Sequence, residues 1–159
     1  MKPSSSPYPI VIPAPFGAVG VRVEKNHVTE IALVPSALLS NEAVQPLNET
    51  VEVAKQIQAY LSNPHAYFNF SHLVSGTSFQ KRVWQAIAEI PLGQTLTYTE
   101  LAAKVSSGAR AVANACGANK LPLLIPCHRV VAKNGLGGFM QSAQGGLVVK
   151  AWLLKHESQ

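Results

Sequence analysis

Nine residues, Leu123-Leu124-Ile125-Pro126-Cys127-His128-Arg129-Val130-Val131, restrict the fold more than any other stretch of the chain. The aliphatic residues on either side call for burial. Between them sit a thiol, an imidazole and a guanidinium, and burying polar groups without partners costs free energy. Pro126 removes a backbone donor and restricts φ, so a turn is expected just before Cys127, with the sulfur presented at a bend rather than packed in a strand. Taken alone, the pair has a plain alternative: a small buried thiol beside a satisfied imidazole. The surrounding chain has to decide between the two.

At 159 residues the chain can build one ordinary domain or two small ones, and a composition 47% hydrophobic and 13% charged is that of a folded protein. No apolar run approaches a membrane span, and no apolar signal core precedes Pro13, so the expected location is cytoplasmic. Thirteen basic against eight acidic residues suit an anionic partner, although that balance alone is a weak signal. Two cysteines, Cys116 and Cys127, exclude a disulfide framework and a four-thiolate zinc site. No Cys-x-x-Cys or His-x-x-x-His spacing brings in the five histidines.

Residues 1–15 are rich in Pro and Ser and are expected to be poorly ordered. Ala18–Glu24 and Val28–Val34 alternate as strands about a turn at Asn26-His27, which predicts a hairpin. Asn48–Leu61 has helical period, with Asn48 as cap, Asn63-Pro64 as terminator, and Val51, Ala54, Ile57, Tyr60 and Leu61 on one face. His27, His65 and His72 are scattered singly. The polar, Gly-containing Ser71–Ser78 segment marks a boundary, giving an α/β (α+β) chain with an N-terminal domain over 1–76 and a helical domain over 77–159.

In the second part, Ser78 is the expected cap of a helix over Phe79–Ile90, stopped by Pro91-Leu92-Gly93. Thr97 caps a helix over Tyr98–Lys104, with Glu100 in capping-box position. After Ser106-Ser107-Gly108 a second helix runs over Ala109–Ala118. This is helix-turn-helix spacing, which is also common in plain helical bundles. The second helix is nearly all small residues, with Arg110 in its first turn, where a cation opposes the helix dipole. Such a surface permits close approach to a partner but carries few donors for reading base edges. Two readings stay open here: Arg110 reaching a ligand, or a tight helix–helix contact with Arg110 solvated. Phe139–Gln144 reads as a glycine-hinged loop. Leu147–His156 closes the chain as a helix packed through Leu147, Val148, Ala151, Trp152 and Leu154, with Glu157 at its end.

The strings Phe79-Gln80-x-x-Val83-Trp84, Ile90-Pro91-x-Gly93-x-Thr95, Thr97-Tyr98-x-Glu100-Leu101-Ala102, Arg110-Ala111-Val112, Asn119, Ile125-Pro126-Cys127-His128-Arg129-Val130, Gly135-x-x-Gly138-Phe139, Lys150 and Leu153-Leu154-x-His156-Glu157 occur in this order. Together they resemble the catalytic domain of the alkylguanine-DNA alkyltransferases (methylated-DNA–protein-cysteine methyltransferases). The likeness covers about half the chain, and the N-terminal half is only loosely similar to the family's ribonuclease-H-like domain. The resemblance implies irreversible, single-use transfer of an alkyl group from O6 of guanine, and also O4 of thymine, in double-stranded DNA, by a monomer without cofactor or metal. It implies Cys127 as nucleophile, His128 as its base through a water, Glu157 orienting the imidazole, and Tyr98 donating a proton to the departing guanine. Arg110 would fill the gap left by the flipped nucleotide, with Thr97, Tyr98, Ala109, Ala111, Ala118 and Asn119 along the DNA. Asn119 would tie the recognition helix to the cysteine turn. Pro126, Val130, Phe139, Met140 and Asn119 would line the base pocket.

Elementary chemistry fits these roles. A free thiol has a pKa near 8.5, so an adjacent base is needed to raise the reactive thiolate fraction at neutral pH. Chemistry on a base inside a duplex requires flipping, and minor-groove entry suits a small-residue helix. The chain departs from the family pattern at three places. The turn before Arg110 is short and lacks proline, Phe139 stands where many members have tyrosine, and the 140–144 loop is longer. Two other classes compete: a non-catalytic module that flags alkylated bases, and a Cys–His hydrolase, which would turn over repeatedly. A nucleophile is superfluous in the first, and Arg110 is unexplained in the second.

Overall fold

The computed structural model describes residues 8–36, 51–138 and 145–159. Strands β1 (Ile10–Ala14), β2 (Gly17–Glu24) and β3 (His27–Pro35) form an antiparallel meander with β2 in the centre. Residues Ile10–Ala14, expected to be disordered, are thus an edge strand. Ile10 and Ile12 are fully buried, and Pro13 is tolerated because an edge strand needs only one side of its backbone paired. The predicted hairpin is therefore two strands of three. Its turn falls at Lys25-Asn26, both at positive φ (50° and 67°), as a tight two-residue hairpin turn demands.

Helix α1 (Val51–Ser62) ends before Asn63-Pro64, as expected, and buries Val53, Ala54, Ile57 and Tyr60. The proposed cap, Asn48, lies outside the described residues. The chain then returns along β3, where Val28 donates to the Ser71 carbonyl at 2.9 Å and Leu73 to the Val28 carbonyl at 3.0 Å. Ile31 of the same strand donates to the Lys120 carbonyl at 2.8 Å. The buried residues of sheet, α1 and later helices form one apolar cluster, which includes Ile12, Val28, Ile57, Ile87, Leu101 and Leu153.

Helix α2 (Ser78–Ala88) starts one residue earlier than expected. Its cap is Thr77, not Ser78, because Thr77 pairs with Gln80 at N3 in a reciprocal capping box. The helix ends at Ala88 rather than Ile90. β4 (Leu96–Thr97) leads directly into α3 (Tyr98–Lys104), where Thr97 and Glu100 form a second capping box. α4 (Ala109–Gly117) follows after a four-residue turn and packs on α2 and α3 through Val112 and Ala115. The buried Trp84 indole donates to the Ala115 carbonyl at 2.8 Å and pins α4 in place. β5 (Val130–Val131) pairs in parallel with β4, which joins the cysteine segment to the start of α3.

Helix α5 (Gly146–Glu157) carries the largest difference from expectation. Leu147, Val148 and Ala151 face outward, while Val149, Lys150, Leu153, His156 and Glu157 are buried. The apolar residues of the predicted face gave way because three polar side chains of this helix find partners inside the protein. Among the described residues, no helix is long and apolar enough to cross a membrane.

Candidate active site

Pro126 bends the chain in an inverse γ-turn, with φ −78° and ψ 66°, closed by Cys127 N–H donating to the Ile125 carbonyl at 2.7 Å. Cys127, His128 and Arg129 then form one turn of 3₁₀-helix. The sequence predicts Cys127 at a bend with its sulfur presented. It sits at the expected bend but is only 8% exposed, part of the same buried cluster as Ile125 and Val130. Burial pushes its thiol pKa up, opposed by a hydrogen bond from Asn119 and the positive charge of Lys150.

Asn119, just beyond α4, ties the segment together. Its Nδ2 donates to the Ile125 carbonyl at 2.8 Å and lies 3.3 Å from Cys127 Sγ, while its Oδ1 accepts from Leu121 N–H at 2.8 Å. Between these anchors Leu123 adopts φ 79°, a left-handed conformation that costs a residue with a Cβ about 1–2 kcal/mol. The loop therefore stays in place because its hydrogen bonds outweigh its backbone preference.

His128 is 1% exposed. Its Nε2 lies 2.9 Å from Glu157 Oε2 at the end of α5, at ion-pair distance but without hydrogen-bond alignment, and its Nδ1 has no hydrogen-bond partner among the described residues. Burial lowers the imidazole pKa, and the carboxylate opposes that shift. Glu157 takes a two-point fork from Arg129, Nε to Oε1 at 2.8 Å and Nη2 to Oε2 at 3.0 Å. The Arg129 Nη1 donates to the Ile90 carbonyl at 2.7 Å. Tyr60 of α1 adds its hydroxyl to Oε2 at 2.6 Å. Burial alone would raise the Glu157 pKa, but His128 first, then the Arg129 fork and the Tyr60 hydroxyl, hold it at about 2.

Tyr98, half-buried at the start of α3, donates its hydroxyl to the Gly138 carbonyl at 3.3 Å. Burial and the two thiols push its pKa up to about 12. Gly137, at φ 76°, passes so close that a Cβ there would meet the Tyr98 ring at 2.8 Å. Lys150 reaches the same point from α5. Its fully buried ammonium donates to the Val130 carbonyl at 2.7 Å and the Gly138 carbonyl at 2.9 Å, and lies 5.8 Å from the Tyr98 ring centre. Burial lowers its pKa to about 8, so it brings positive potential to the thiol while remaining mostly protonated at neutral pH.

The structure thus brings Cys127, His128, Asn119 and Glu157 together around the turn begun by Pro126. Val130 follows at once and is fully buried. Tyr98 approaches through the 137–138 backbone. Ala109, Arg110 and Ala111 lie apart on the exposed face of α4, Ala118 caps that helix, and the Thr97 hydroxyl is engaged in the α3 cap. Phe139 and Met140 lie outside the described residues.

Residues 78–159 match the family model described as 6-O-methylguanine DNA methyltransferase, DNA binding domain. A methylated-DNA–protein-cysteine methyltransferase of Methanosarcina mazei is 39% identical over 124 residues, 76% of each chain. The chain belongs to the methylated-DNA–protein-cysteine methyltransferase family. A Salmonella typhimurium protein of that name is 48% identical over 85 residues, covering 52% of this chain and 47% of its own. The likeness extends to the whole fold. The structure of Mycobacterium tuberculosis OGT in complex with DNA superposes with a TM-score of 0.77 at 31% identity, covering 93% of this chain and 91% of that one.

Sequence reasoning gave no role to Arg129, Tyr60 or Lys150. Arg129 and Lys150 stood inside the family strings, and the signal available was a cation with no acidic neighbour in sequence. Tyr60 was placed correctly on the inner face of α1, but nothing local pointed to a partner 97 residues away.

Proposed function

We propose that this methyltransferase repairs DNA by direct reversal, taking the alkyl group of O6-alkylguanine onto Cys127. The observation that carries the assignment is a buried thiol on a turn anchored by Asn119, next to an imidazole at 2.9 Å from a carboxylate that remains ionised. His128, adjacent to the thiol in the same turn, takes the Cys127 proton through a water, using Nδ1, the ring nitrogen turned away from Glu157 and without a hydrogen-bond partner among the described residues. The thiolate attacks the alkyl carbon, the S–C bond forms, and the C–O6 bond breaks with its electron pair moving onto the guanine. Tyr98 donates its hydroxyl proton to that ring, and the proton that His128 took from Cys127 restores the phenol through solvent, leaving guanine and a thioether. The thioether has no route back to thiol, so each molecule acts once.

Base access assigns Arg110 and the exposed alanines of α4 to the minor groove, with Arg110 filling the space of the flipped nucleotide. Residues 77–159 carry both the DNA contacts and the acceptor, and the protein works in the cytoplasm. The test measures loss of O6-methylguanine from a duplex against the amount of protein added. One equivalent per protein, abolished by Cys127→Ala, is expected. Multiple turnovers would point to a hydrolase, and binding without loss of the methyl group would point to a flagging module.

A further inference from the structure

Glu157 Oε2 has three claimants: the Tyr60 hydroxyl at 2.6 Å, Arg129 Nη2 at 3.0 Å and His128 Nε2 at 2.9 Å. A carboxylate oxygen offers about two lone-pair directions. Tyr60 and Arg129 hold hydrogen-bond geometry, and His128, although near, is off-line. The Arg129 fork already fixes the plane of the carboxylate, so Tyr60 is not needed to orient it.

We propose that Tyr60 is a positioning residue that occupies a lone pair His128 would otherwise use, so that helix α1 sets how firmly His128 holds a proton. This rests on His128 being the base for Cys127. The tyrosine is tied to the same site by its backbone. His156 Nε2 lies 2.6 Å from the Tyr60 carbonyl, and the two rings meet edge-to-face at 5.3 Å. Among the described residues, the groups acting on His128 are Glu157 and Lys150 from α5 and Arg129 from its own turn, with Tyr60 acting through Glu157. Withdrawing the phenol leaves the other charges in place and returns carboxylate charge to the imidazole.

Tyr60→Phe keeps the ring contacts and removes only the donor. The two readouts are the pH profile of single-turnover alkyl transfer at saturating duplex and the imidazole titration of His128 by NMR in the protein alone. The expected result is an acidic inflection and an imidazole titration both moved to higher pH, with a plateau rate raised by a factor of roughly three, because the thiolate–imidazolium pair is better stabilised. A purely structural role would lower the plateau and leave both titrations where they are, which would overturn the proposal, as would movement to lower pH. Fluorotyrosine at position 60, a stronger donor of nearly the same shape, is expected to shift both titrations the opposite way, and it carries the test if Tyr60→Phe does not fold. Absence of any transfer by the wild-type protein would remove the repair function, while the NMR titration would still test Tyr60.

Discussion

Asn119 offers a sharp test, because one side chain holds both the loop and the thiol. Asn119→Ala deletes the bonds to the Ile125 carbonyl and Leu121 N–H at 2.8 Å each, and the 3.3 Å contact to Cys127 Sγ. Two backbone groups lose their partners, at about 1–1.5 kcal/mol each, and the left-handed Leu123 loses the ties that hold it. The expected loss is about 2–4 kcal/mol, which a domain with about 5–15 kcal/mol of stability survives. Asn119→Asp, like alanine, loses the donor to the Ile125 carbonyl, so the difference between the two variants isolates the charge beside the sulfur. The aspartate keeps the acceptor for Leu121 and sets a negative charge beside the sulfur, raising the thiol pKa where the amide had lowered it. Single-turnover methyl transfer, with a pH titration of Cys127 alkylation by iodoacetamide, reads the effect. Asp should be the slower variant by at least about tenfold relative to wild type, the factor that 1.4 kcal/mol represents. An aspartate variant reacting at the wild-type rate would refute the claim that Asn119 acts on the sulfur.

The Glu157 carboxylate provides a prediction for acid stability. Its folded pKa of about 2 lies below the ordinary 4.5, so its contribution is complete above 4.5 and disappears as pH falls toward 2. By linkage this amounts to at most about 3 kcal/mol, and urea denaturation across that window should show Glu157→Gln losing much of the wild-type slope. Equal slopes would contradict the assignment. Arg110 is exposed, so Arg110→Ala should change stability by no more than about 0.5 kcal/mol. It should nevertheless slow repair of duplex DNA while leaving Cys127 alkylation by iodoacetamide unchanged. A parallel fall in both rates would argue against a role in base flipping. Affinity for undamaged duplex should fall with added salt in filter-binding or anisotropy measurements, and salt-insensitive binding would exclude a phosphate-dominated interface.

Elements with local chemistry were legible from sequence, and those held by distant partners were not. Thr97 and Glu100 signal their helix within four residues, and α3 forms there. The Gly-containing turn before Ala109 likewise places α4 to within a residue. Ser78 was mistaken for a cap because its neighbour Thr77 is equally able, and only the reciprocal bond to Gln80 distinguishes them. The face of α5 was misjudged because hydropathy assigns Lys150, His156 and Glu157 to solvent. Each is buried against an oxygen or donor that the sequence does not place: the Val130 carbonyl, the Tyr60 carbonyl and the Arg129 fork. The Cys127–His128 pair was visible at once, whereas the enclosure of its sulfur depends on a loop whose geometry Asn119 dictates from the end of another helix.

Cys116 and Cys127 are both free thiols, and burial, with the neighbouring Cys127, pushes the Cys116 thiol pKa up to about 12. Cys127 alone is expected to accept the alkyl group. Incubation with a duplex containing O6-methylguanine, followed by intact mass measurement and peptide mapping, tests it directly. One added methyl per chain is expected, located on Cys127 and absent in Cys127→Ala. A methyl on Cys116, or guanine restored with the protein unmodified, would contradict it.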